Sequence, residues 1–449
     1  MKKKYLNTVI AIVVFAVLIG SMLWYNKRQS HQPSTTTSKP EEKILPVETK
    51  TIASFTITSK DGKKFTCRRD GSAWSIVEPQ KLGVDQSAVD GFLSSLTSAT
   101  VDEVVDPHPA NLKDFGLDSP ATAIDVSTSA PAGSKWAQFT LLLGDETPTN
   151  SGLYAEVGGN PRVITLPDYM KTSLEKSMFD LRDKRVITLD PDQLQKIEVE
   201  SKGKSWAIVK NPEGVWDLML PPAVRADRFA VDDLVSQLRS TTMQAIVAED
   251  KKGASKYGFG SPELRIKLTS PGGTQTLTLG KKEGDNYDAT NSSLDPIFTV
   301  GSRLDTSFQK DPADLRAKDL FSFVSSDAKH LEVTTPKGHW VFEQQNNKWK
   351  QTAPAAKDEP NDKVESVLND LLDLRASSFP KASPGDLAAF GLARAGYTFQ
   401  VRYGEKNQTE TVEAAKVGDH VYARRPTDPL PAELSQNALD AIEKDLGGL

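Results

Sequence analysis

Five histidines, one cysteine and a large stock of carboxylates are the side chains that could carry chemistry in this chain. His31, His108, His330, His339 and His420 are scattered, and no two of them, nor any with Cys67, have the spacing of a metal-ligand set. His330 and His339 fall on neighbouring strands of one hairpin and would have to face each other to share an ion. His108 stands between two prolines and reads as a solvent-facing loop residue. Cys67 has no partner for an intramolecular disulfide and no histidine nearby, so it reads as a small apolar filler and not as a reactive thiol. The chain has no Gly-x-Ser-x-Gly elbow, phosphate loop or dinucleotide fingerprint. Acidic pairs such as Glu41-Glu42 and Asp102-Glu103 read as solvated charge, and nothing selects a glycosidase pair. We therefore expect no catalytic, metal-binding or cofactor-binding residue, and no cofactor.

The tryptophans carry a different signal. Trp74, Trp216 and Trp349 are each followed after five residues by a proline, Pro79, Pro221 and Pro354. Forty-one residues after each comes an aromatic residue followed by glycine: Phe115-Gly116, Tyr257-Gly258 and Phe390-Gly391. Three equal spacings of that length mark a tandem repeat. Stacked on a sugar these rings would be ligand platforms. Recurring in one strand context ahead of a proline, they read as core.

The elements that must position these residues repeat as well. Between the anchors lie Val89, Phe92, Leu93 and Leu96, then Val231, Leu234, Val235 and Leu238, then Val364, Val367, Leu368 and Leu371. Each set is one face of an amphipathic helix. Asp85 and Asp227 are placed to cap the first two helices, and Asn361 or Asp362 the third. Ahead of each tryptophan, alternating runs broken by Asp61-Gly62, Gly203 or Lys337-Gly338 predict a strand meander. Beyond each aromatic-glycine pair come more strands. We align Leu143-Gly144 and Leu279-Gly280 with Val417-Gly418, and Tyr154 with Tyr287 and Tyr422. The first two copies close on Asp180-Leu181-Arg182 and Asp314-Leu315-Arg316, where the arginine suits a structural ion pair or a helix-end contact; the third ends in a helix-like tail, Ala432 to Leu446. The expected fold is α+β: three tandem modules, each an antiparallel sheet with packed helices.

A net charge of −5 argues against a general nucleic-acid binder. At the start, Met1-Lys2-Lys3-Lys4 precedes an apolar run from Tyr5 to Tyr25, whose members Leu6, Val9, Ile12, Phe15, Leu18, Leu23 and Trp24 suit a membrane-crossing helix. About 20 residues of helix rise roughly 30 Å, the thickness of a bilayer core. The bulky Met22-Leu23-Trp24-Tyr25 ending does not suit a cleaved signal, and the flanking lysines favour an uncleaved anchor with the body outside. A linker rich in Ser, Thr and Pro follows. The expected organisation is an anchor at 1–28, a linker at 29–46, and modules at 47–187, 188–322 and 323–449.

The Trp-x-x-x-x-Pro stretch, Phe115-Gly116-Leu117-Asp118-Ser119-Pro120 and Asp180-Leu181-Arg182-Asp183-Lys184 together resemble DUF4340, a bacterial domain of unknown function. The resemblance runs three times over nearly everything after residue 47, and the third copy departs most, with Ala395 in the place of Pro120 and Pro262. It implies an N-terminal membrane helix and, for some members, a place beside ABC-type transporters of the gliding-motility kind. It brings no catalytic residues.

The expectation is a non-enzymatic, membrane-tethered interaction or scaffold protein on the outer face of a bacterial cytoplasmic membrane. Its expected partners are the membrane and a protein, such as a transporter complex. The first alternative is an envelope protein binding glycan or peptide, which full burial of Trp74, Trp216 and Trp349 would count against. The second is an envelope hydrolase, which needs a cleft with converging acids or histidines in one copy.

Overall fold

The computed structural model describes residues 42–131, 133–220 and 222–448. Leu6, Val9, Ile12, Phe15, Leu18, Leu23 and Trp24 of the expected anchor, and Pro221 of the repeat, lie outside the described residues. Among the described residues, no helix is long and apolar enough to cross a membrane. The chain forms two compact units, one ending at Asp183 and one beginning at Lys184.

In the first unit, alternation of buried and exposed positions builds β1 (Ile52–Ser59), β2 (Lys64–Asp70), β3 (Ala73–Glu78) and the two-residue β4 (Leu82–Gly83). Helix α1 (Gln86–Ser98) follows, capped by Asp85, whose side chain accepts from Ala88 N at 3.1 Å. Then come β5 (Glu103–Asp106), β6 (Thr122–Thr128), β7 (Gln138–Glu146), β8 (Gly152–Val157) and β9 (Asn160–Pro167), and the short helices α2 (Tyr169–Leu174) and α3 (Met178–Leu181). All pair antiparallel in one sheet of order β4-β3-β2-β1-β6-β7-β8-β9-β5. The strands step outward to one edge at β4. Helix α1 then returns the chain across the sheet, and β5 joins the opposite edge. Val89, Phe92, Leu93 and Leu96 of α1 share one core with Phe55, Trp74, Ile124 and Leu141. Each such side chain contributes about 1.5–3 kcal/mol by leaving water.

The second unit repeats this path twice. Its first sheet runs β10 (Lys196–Ser201), β11 (Lys204–Lys210), β12 (Trp216–Leu218), β13 (Val224–Arg225), helix α4 (Arg228–Ser240), β14 (Ala245–Ala248), β15 (Leu264–Ser270), β16 (Gly273–Glu283), β17 (Asn286–Asn291), β18 (Ile297–Gly301) and helix α5 (Arg303–Phe308). Its order, β13-β12-β11-β10-β15-β16-β17-β18-β14, is the first sheet over again. The other sheet has β19 (Ala328–Thr335), β20 (Gly338–Gln345), β21 (Lys348–Ala353), β22 (Lys357–Asp358), helix α6 (Asn361–Leu372), β23 (Tyr397–Tyr403), β24 (Gln408–Val417), β25 (His420–Arg424), β26 (Ala432–Leu434) and helix α7 (Asp440–Gly447). It has eight strands; the outermost strand of its siblings shrinks to one bridge between Ser378 and Glu433. The expected helical tail is therefore a strand at its start and a helix only from Asp440. The fold is mainly β, three antiparallel sheets with a few helices packed on them.

Two expected alignments shift. Register places Ala415, not Gly418, at the position of Gly144 and Gly280, since Leu143, Leu279 and Ala414 occupy matching ladder positions. A Cβ on Gly144 would sit 2.2 Å from the Phe115 carbonyl oxygen, and one on Gly280 2.0 Å from that of Tyr257. Both glycines lie where the ladder to the next strand shifts register, and at Ala415 the ladder runs straight. Glycine follows the bulge. Similarly, Tyr154 and Tyr422 match Asp288, and Tyr287 stands one residue away. That slip turns Tyr287 into the core, where it donates to Asp305 at 2.8 Å, while Tyr154 and Tyr422 lie edge-on against Phe115 and Phe390. In the third helix neither Asn361 nor Asp362 caps; Asn361 instead accepts from Trp349 N at 3.1 Å and donates to the Asn347 carbonyl.

Candidate functional site

Trp74 and Trp349 are buried, the latter 1% exposed, so neither is a stacking platform. Trp216 is half-buried, with Lys210 Nζ 5.1 Å above its ring, which departs from the expected burial of all three. Pro79 and Pro354 each follow a cis peptide bond. Gly116, Gly258 and Gly391 all adopt positive φ, which lets the chain turn sharply onto the sheet after Phe115, Tyr257 and Phe390.

The histidines do not converge. His330 pairs across the ladder with Glu343, and His339 with Thr334, so the two rings are not opposed. Glu332 lies between them, 2.9 Å from His339 Nε2, and His330 Nδ1 lies 2.7 Å from Glu343. His108 is exposed. Among the described residues no group of three or more His, Cys, Asp or Glu could hold a metal. Burial pushes the Cys67 thiol up to about 12, which keeps it protonated.

A cleft of about 880 Å³ lies inside the second unit, where its two sheets meet. The start of α4, the turn before β12, the 317–322 segment and the ends of β23 and β24 wall it. Its floor is charged and buried. Behind that lining, Arg316, 5% exposed, reaches Asp428 of the floor at 3.2 Å and the carbonyls of Leu430 and Pro431 at 2.8 and 3.4 Å, and lies over the Phe379 ring. This is the structural ion pair expected for that arginine. Glu410, 6% exposed, accepts from Ser322 N at 2.8 Å and from the Tyr403 hydroxyl at 3.2 Å, with Arg425 at 3.5 Å. Arg225 donates to the Asp319 carbonyl and to Ser322 Oγ.

Electrostatics follow from that burial. Desolvation, then the nearby Arg425, lowers the Arg225 pKa. Tyr403 is pushed up to about 12 by burial and by Glu410. Burial also raises Asp217, and Glu213 and Asp428 add repulsion. Above the floor the lip is apolar: Phe229 is 74% exposed and Val215 is also exposed. The arrangement offers binding, with fixed charges beneath an exposed ring.

The family model for the domain of unknown function DUF4340 matches residues 74–223 and again 216–379. The chain belongs to the DUF4340 family. Each DUF4340 match starts at a repeat tryptophan, in the third strand of one sheet, and runs past the start of the next copy. The family's unit thus has the period of the fold but a different phase. No curated protein and no solved structure matches the chain.

Among the described residues, none that defines the repeat lines the DUF4340 cleft. Arg225, Phe229, Tyr403, Glu410, Arg425 and Asp428 escaped the sequence reading. Phe229 alone left a trace: it is a large apolar residue outside the stripe of Val231, Leu234 and Leu238 that α4 buries.

Proposed function

We propose that this DUF4340 protein is a non-enzymatic interaction scaffold, tethered to a bacterial cytoplasmic membrane with its modules on the outer side, and docking a protein of an ABC-type transporter system. The observation that carries the docking is Phe229, 74% exposed on the lip of a cleft whose floor is locked by buried charge pairs. Aromatic and arginine side chains dominate the energetics of protein interfaces. A floor already held by Arg316–Asp428 and Glu410–Ser322 loses little entropy on binding. The apolar run Tyr5–Tyr25 supports the tether, and the family neighbourhood supports the transporter.

A photo-crosslinking residue at 229, in the full chain in cells of the native bacterium, tests this. The expected product is an adduct with an integral membrane transporter subunit, lost when Val215→Asp is added. An adduct only with glycan, or none, would move the assignment to the envelope binding alternative.

A further inference from the structure

We propose that the first module binds a long-chain fatty acid, in a second cleft of about 720 Å³ between the tip of the β1–β2 hairpin and the 175–179 segment. Ile57, Phe65, Pro79, Met178 and Phe179 give it an apolar lining. Ile57 and Phe65 are buried, so the wall they form belongs to the core and is fixed. Three lysines, Lys63, Lys64 and Lys176, join that lining against one carboxylate, Glu175. Lys63 is shared with Asp61 at 2.7 Å, and Lys176 donates to the Thr172 carbonyl; Lys64 is exposed on the hairpin. Burial raises the Glu175 pKa, with Lys171 opposing the shift and Glu146 adding to it.

Comparison between copies supplies an independent argument. Phe65 faces Ile57 across its ladder as Trp206 faces Val199, and Leu174 ends α2 as Phe308 ends α5. In the second copy Trp206 stacks on Phe308 at 6.4 Å with planes 4° apart. The first copy has a smaller side chain at both positions, and Met178 and Phe179 where the second has Pro312 and Ala313. On the cleft wall the first copy thus has a phenylalanine, Phe65, where the second has a stacked tryptophan.

Size and charge select the ligand. Ligand pockets typically span about 300–1,000 Å³. At about 720 Å³ the cleft falls in that range and has room for one chain of about 16 carbons with its carboxylate. A neutral chain would give Lys64 no counter-charge.

The test uses the full chain in proteoliposomes with a diazirine-bearing palmitate, followed by peptide mapping. Labelling is expected on peptides containing Phe65 or Met178-Phe179, with competition by palmitate at least tenfold better than by hexadecanol. Phe65→Trp with Leu174→Phe, which copies the second module, should remove it. Ala121→Phe, which fills the cleft from its half-buried wall, should do the same if the double variant misfolds. Labelling spread over all three modules, equal competition by hexadecanol, or preferential labelling by a diacyl phosphatidylglycerol probe would overturn the proposal.

Discussion

Gly280→Ala is the sharpest test of how the aromatic-glycine turn seats on its sheet. The added Cβ would lie 2.0 Å from the Tyr257 carbonyl oxygen and 2.8 Å from the Phe259 ring. The ring can rotate, but the carbonyl belongs to a turn fixed by Gly258 at φ +81° and cannot yield without moving the backbone. Overpacking of this kind costs about 1–3 kcal/mol, and contact with backbone puts this case at the upper end, about 3 kcal/mol. At about 2–4 °C per kcal/mol for a unit of this size, the melting temperature of the second unit should fall by about 6–12 °C. Gly418→Ala is the control. Its Cβ meets nothing within 4 Å, and only its φ of +60° opposes a side chain. That costs about 1 kcal/mol, or about 2–4 °C. Calorimetry on the purified chain separates the two. If Gly280→Ala melts within 2 °C of the parent, or Gly418→Ala is the more damaging, then the register that pairs Gly280 with Ala415 is wrong.

Other outcomes follow from the same geometry. Trp349→Ala should cost about 3–5 kcal/mol in urea unfolding, as a fully buried ring does, and Trp216→Ala clearly less because its ring is half-buried. Asp428→Ala should cost about 3–5 kcal/mol by leaving the Arg316 guanidinium buried without its counter-charge; a loss below 1 kcal/mol would mean the Leu430 and Pro431 carbonyls suffice. Cys67 should resist a disulfide reagent at neutral pH until the chain is unfolded, since its pKa of about 12 leaves almost no thiolate. Hydrogen bonds from Lys337 and Tyr397 hold Glu443 at about 2, below the usual 4.5. A depressed carboxylate stabilises the fold above its unfolded pKa, so this contribution is intact above about 4.5 and lost as pH falls through about 2. Glu443→Gln should flatten that acid limb of the third module's stability curve.

What was legible in advance rests on periodicity. The Trp-to-glycine spacing, the buried stripes of α1, α4 and α6, and the Asp85 and Asp227 caps all depend on contacts within a few turns or on repetition along the chain. The tyrosine alignment failed because side chains on a strand alternate faces, and Tyr287, one residue out of register with Tyr154 and Tyr422, takes the buried place that Leu153 holds in the first copy. The glycine alignment failed because a bulge is a property of two strands and is not visible in either alone. The far-edge placement of β5 and β14 depended equally on the assembled sheet.

The clefts divide in the same way. Arg316 and Asp428 are 112 residues apart, and Ser322 and Glu410 88 apart, so no local pattern joins them. Their meeting is decided by how the second unit packs its two sheets. The sequence by itself determined that one module recurs and which residues repeat within it, because repetition and helical amphipathicity are written along the chain. The tertiary structure decided where the copies differ: a cleft opens in the first beside Phe65, the second stacks Trp206 on Phe308, and Phe229 is left facing water above a charged floor. Those differences depend on side-chain volume and burial across strands distant in sequence, which no spacing records.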